Sequence, residues 1–75
     1  MNLQIFEMED KELGYYFFRQ RTKKDLTIRK LSTLSGVSQS YISRFESGTL
    51  INISLTSIKK LCKVLNLDLK YCIIK

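Results

Sequence analysis

Between Thr27 and Gly48 the chain carries two short amphipathic segments, each opened by a hydroxyl residue and closed by a glycine. Thr27 and Ser38 suit the N-cap position, where a side-chain oxygen takes a backbone N–H that the first helical turn leaves without a partner. Gly36 and Gly48 suit the positive φ at which helices commonly end. This punctuation predicts two short helices joined by the tight turn Ser35-Gly36-Val37. Leu31 and Leu34 give the apolar stripe of the first. Ile42 and Phe45 point inward from the second. Ser32 is small where the two helices are expected to cross, and Val37 and Ile42 wedge the pair onto the rest of the domain.

Flanking segments follow the same rules. Asp10 is an expected N-cap, with Glu12 placed favourably for the helix dipole. The helix it opens should run from about Lys11 to Lys23, with Leu13, Phe17 and Arg21 on one face and Asp25 breaking the pattern. Gly14 falls inside this helix. Thr49 to Ile53 reads as a loop, and Ser54 caps a last helix. Its stripe is Leu55, Ile58, Leu61, Cys62 and Leu65, and Asn66 is its stop. From Leu67 the period changes to two: Leu67, Leu69, Tyr71 and Ile73 alternate with Asp68, Lys70, Cys72 and Ile74. A lone strand is not stable, so this tail needs a partner strand. The expected organisation is an N-terminal arm over 1–9, a helical domain over 10–66 and a strand over 67–75.

Size and charge narrow what such a chain does. Seventy-five residues hold one small domain, which leaves little room for a deep substrate cleft. No stretch approaches the roughly 20 apolar residues that span a bilayer, and the acidic start does not resemble a secretion signal. A cytoplasmic protein, working at the nucleoid, is expected. With no His and two Cys, a structural zinc site is disfavoured. No cofactor and no small-molecule substrate are expected. Residues 1–12 carry one base against four acids, net −3. Residues 13–75 carry twelve bases against three acids, net +9. A compact body of that charge fits a polyanion; a solvated lysine-rich surface is the plain alternative.

Two short helices around a glycine-containing turn form a helix-turn-helix. The stretch from Leu13 to about Leu67 resembles the Cro/cI-type (XRE) family of that motif. The resemblance is carried by Leu13-Gly14, Arg21, Leu26-Thr27, Leu31-Ser32, Gly36-Val37-Ser38, Ile42, Glu46, Gly48, Ser54-Leu55 and Leu65. It implies an all-α, lambda-repressor-like bundle of four helices, here with a short C-terminal β-strand for dimerisation. Three positions depart from the family pattern: Ile28 replaces a phosphate-touching Gln, Gln20 replaces an apolar residue, and Asn52-Ile53-Ser54 lacks the usual proline.

The resemblance also implies residue roles. Arg21 and Glu46 match a structural ion pair that ties the first helix to the end of the third. Gln39, Ser40, Ser43 and Arg44 match the positions that reach base edges in the major groove of double-stranded DNA. Their chemistry suits that task, since Gln pairs two-pronged with adenine and Arg with guanine. Helix N-termini and free backbone N–H groups favour anions, which makes Thr27, Ser38 and the loop Thr49–Asn52 the expected phosphate clamps. Tyr41 either contacts the DNA backbone or packs. Arg19, Lys23, Lys24, Arg29 and Lys30 add field or are simply solvated. In Tyr15-Tyr16-Phe17-Phe18, successive residues turn by about 100°, so Phe17 is core, Tyr16 flanks it, and Tyr15 and Phe18 point elsewhere. Those two either meet a partner or lie under the N-terminal arm. Cys62 is expected in the core.

Nothing in the sequence supports an enzyme: there is no His and no phosphate-cradling loop. Family members bind operator DNA, usually as symmetric dimers. The end of the chain is similar to that of HipB-like antitoxins, where one strand pairs with its mate in the homodimer; Leu69, Tyr71 and Ile73 fit that role. The resemblance therefore implies a DNA-binding repressor, acting as the antitoxin of a HipA-like kinase toxin and autoregulating its operon. A stand-alone phage or plasmid-type repressor is the alternative.

Overall fold

The computed structural model describes residues 10–50 and 54–67. They form four helices: α1 (Asp10–Lys23), α2 (Ile28–Ser35), α3 (Gln39–Ser47) and α4 (Leu55–Leu65). The expected N-terminal arm over 1–9 and the expected strand with Leu69, Tyr71 and Ile73 lie outside the described residues, as does Asn52. Among the described residues the architecture is all-α.

Each internal boundary has a local cause. Thr27 Oγ1 accepts the Lys30 N–H at 3.0 Å, Ser38 Oγ accepts that of Tyr41 at 3.1 Å, and Ser54 Oγ accepts that of Ser57 at 3.3 Å. These bonds satisfy donors that the first helical turn cannot. Gly36, Gly48 and Asn66 close α2, α3 and α4 in the left-handed region, at φ of 81°, 82° and 58°. Asp25, at φ 57°, turns the chain out of α1. The first helix begins at Asp10 itself, one residue before the expected start.

The core is built from one stripe of each helix together with Val37 of the α2–α3 turn. Leu13, Phe17, Leu31, Val37, Ile42, Phe45, Ile58, Leu61, Cys62 and Leu65 are all buried in one cluster. Phe17 and Phe45 sit at its centre, with ring centroids 5.2 Å apart. Leu34 and Leu55 do not join it: they are 52% and 50% exposed. Tyr16 packs against the cluster as a partly buried neighbour.

α3 packs against both α1 and α2, and α4 packs on α2. The α1–α3 crossing is close at Gly14. A Cβ there would overlap the carbonyl oxygen of Phe45 and stand 3.3 Å from the Glu46 Cα. The glycine is required by this approach of two backbones, since its own φ is not in the left-handed region.

Candidate nucleic-acid interface

Nine residues from Gln39 to Ser47 make a helix with two unlike faces. Ile42 and Phe45 are buried, and Tyr41 is half-buried. Gln39, Ser40, Ser43, Arg44 and Ser47 are exposed. At about 100° per residue these five fall on one side of the axis, away from the core. Among the described residues, the side chains of Gln39, Ser40, Ser43 and Arg44 make no hydrogen bond or ion pair. Four hydrogen-bonding side chains thus stand together on a helix whose other face is fixed by the core. Ser47 extends the row beyond the predicted set. Its position one turn after Ser43 is the signal for it in the sequence.

The scaffold behind this row is held by charge. Arg21 Nε donates to Glu46 Oε2 at 2.8 Å and Nη2 to Oε1 at 2.9 Å, while Nη1 donates to the Leu26 carbonyl at 2.6 Å. The side chains are only 10% and 7% exposed. A two-pronged, nearly dry pair of this kind fixes both distance and angle between α1 and the end of α3. It also removes Arg21 from the charge available to a ligand.

Thr27 and Ser38 stand exposed at the N-termini of α2 and α3. Their hydroxyl oxygens accept helix N–H groups, which leaves each hydroxyl proton to donate outward. Of its two expected roles, Tyr41 shows the packing one. Its ring packs near Phe45, with centroids 6.4 Å apart, and its hydroxyl accepts the Ser54 N–H at 2.9 Å. That hydroxyl too keeps a proton to donate.

The loop after α3 differs from the expectation. The Thr49 and Leu50 N–H groups are not free. Both donate to the Arg44 carbonyl, at 3.0 and 3.2 Å, and so cap the end of α3. The Thr49 hydroxyl lies 3.3 Å from the same carbonyl and 3.1 Å from Ser47 Oγ. The physical reason is that a helix end presents unpaired carbonyls, and the first residues past it meet that need.

Arg19, Lys23, Lys24, Arg29, Lys30, Arg44, Lys59, Lys60 and Lys63 are all exposed. Exposed acids among the residues whose side chains are described are Glu12 and Asp25. Among the described residues, exposed bases therefore far outnumber exposed acids, while the α3 row itself bears a single charge. No helix among the described residues is long and apolar enough to cross a membrane.

A family model described as helix-turn-helix matches residues 18–72. No curated protein matches the chain.

Proposed function

The chain belongs to the helix-turn-helix family of Cro/cI (XRE) type, a family of DNA-binding transcription regulators rather than enzymes, and from that membership we propose a sequence-specific repressor that reads operator DNA as a homodimer. The observation that carries this reading is the exposed row on α3, with the side chains of Gln39, Ser40, Ser43 and Arg44 uncommitted and its back face locked to the core. Gln39 and Ser40 at the start of the helix, with Ser43 and Arg44 one turn on, reach base edges in the major groove. Thr27, Ser38 and Tyr41 donate hydroxyl protons to phosphates. Thr49 and Asn52 are assigned further phosphate contacts. Symmetric pairing through Leu69, Tyr71 and Ile73 places two α3 helices about one DNA turn apart, roughly 34 Å.

The test is a salt titration with a duplex selected by the protein from a random pool. Affinity should fall at least about tenfold between about 50 and 200 mM salt, as phosphate contacts release counterions. An affinity flat over that range would refute the reading.

The place within the family rests on the alternating tail, which is similar to that of HipB-like antitoxins. We propose on that basis a HipA-like kinase toxin as second partner, in an operon that the pair represses. Co-expression with a kinase-fold neighbour gene should yield a stable complex on copurification. With no such neighbour or no complex, a stand-alone phage or plasmid-type repressor is the better description.

A further inference from the structure

Beside the α3 row lies an open groove of about 350 Å³. Its apolar walls are Tyr15 and Phe18 of α1 and Ile28 at the start of α2, and Ser43 of α3 forms its opposite rim. The two aromatic rings are stacked, with centroids 5.9 Å apart and planes 24° from parallel. They are 57% and 36% exposed. Among the described residues that line the groove, the only charged ones are Arg21 and Glu46, which are bonded to one another, and the Arg21 guanidinium carbon lies 5.4 Å from the centre of the Phe18 ring. It is therefore a poor phosphate site.

We propose that this shelf packs against the deoxyribose of duplex DNA bound by α3. The inference rests on the DNA-reading role given to α3 above and adds a contact to it. Its support is continuity. On one side, Ile28 follows Thr27, whose hydroxyl and helix N-terminus are assigned to a phosphate. On the other, Ser43 is assigned to a base edge. Between the phosphate and the base of a nucleotide lies the sugar, and the sugar presents C–H groups to its surroundings. Three apolar side chains without a free charge suit that ligand, and the stacked rings extend the shelf along the strand. The contact is indifferent to sequence. It also removes from water two rings that a monomeric protein would otherwise leave exposed.

The contact has a distinctive salt signature. A cation removed from a phosphate lowers both the affinity and the slope of its dependence on salt. An apolar contact removed from a sugar lowers affinity and leaves the slope alone. Tyr15→Ala and Phe18→Leu are measured against the unaltered chain on the selected duplex, each checked for an unchanged melting curve. Gln39→Ala, and the same duplex with dT replaced by dU, are measured alongside. The proposal expects Tyr15→Ala to weaken binding at least about threefold, in line with the apolar area lost, at an unchanged slope. Phe18→Leu should weaken it less, and removal of the thymine methyls should leave the effect of Tyr15→Ala as it was. The shelf assignment is overturned by unchanged affinity, by a reduced slope, by an effect that vanishes with dU, or by a loss of self-association that accounts for the weaker binding. If Gln39→Ala weakens binding while Tyr15→Ala does not, the shelf alone fails. If the unaltered chain binds no duplex from the pool, both readings fail.

Discussion

Glu46 has both carboxylate oxygens engaged by one guanidinium, in a place almost closed to water. Removing one partner of such a pair strands the other charge, at a cost of about 3–5 kcal/mol. Glu46→Ala should therefore lower stability by more than about 2 kcal/mol, read from denaturant melts; an unaltered midpoint would show that the pair contributes nothing. Gly14 is constrained differently. Gly14→Ala should destabilise by about 1–3 kcal/mol, the usual range for overpacking, even though alanine is the better helix former. A gain in melting temperature would mean that α1 and α3 separate without strain. The two residues also differ in how they show in the sequence. The Arg21–Glu46 pair was legible only through family resemblance, since periodicity puts Arg21 on the face of Leu13 and Phe17 but names no partner for it. Gly14 showed only as a match to the family, and the physical need for it did not show. The atom that forbids a side chain is a backbone carbonyl from another helix, and no local pattern encodes it.

At the scale of the element, caps were the most legible part of the chain. Thr27, Ser38, Ser54, Gly36, Gly48 and Asn66 all act where the sequence placed them, because a cap is a bond between near neighbours. The cap at Ser38 has a second duty in this account, as a phosphate donor. Ser38→Ala should cost about 1 kcal/mol as a lost cap, a fall of about 4–8 °C in melting temperature, and should weaken DNA binding beyond what the unfolded fraction explains. Binding that tracks stability alone would leave Ser38 with the cap role only. Leu34 and Leu55 show where the pattern fails. Each extends an apolar stripe in the sequence, yet each stands half in water. In a helix of two or three turns, one leucine shifted along the stripe lies at its edge, and only the neighbouring elements decide whether it is covered. The loop N–H groups of Thr49 and Leu50 were misread for a related reason. They looked available because the loop looked irregular, but the end of α3 uses them first.

For the molecule as a whole, the charge balance gains a location. The exposed bases occupy α1, α2 and α4 as well as α3, so they supply a broad attractive field. In the proposed reading, the choice of sequence falls to a few side chains on α3. Salt should therefore act on affinity for any duplex, while substitutions in the α3 row should act on the choice between duplexes. Gln39 tests this most directly. The measurement is competition between the selected duplex and its single base-pair variants, for the unaltered chain and for Gln39→Ala at one salt concentration. The account predicts that Gln39→Ala loses about 1–3 kcal/mol of discrimination at one base pair, with binding to unrelated duplex nearly unchanged. Equal discrimination by the two proteins at every position would contradict the claim that α3 reads the operator.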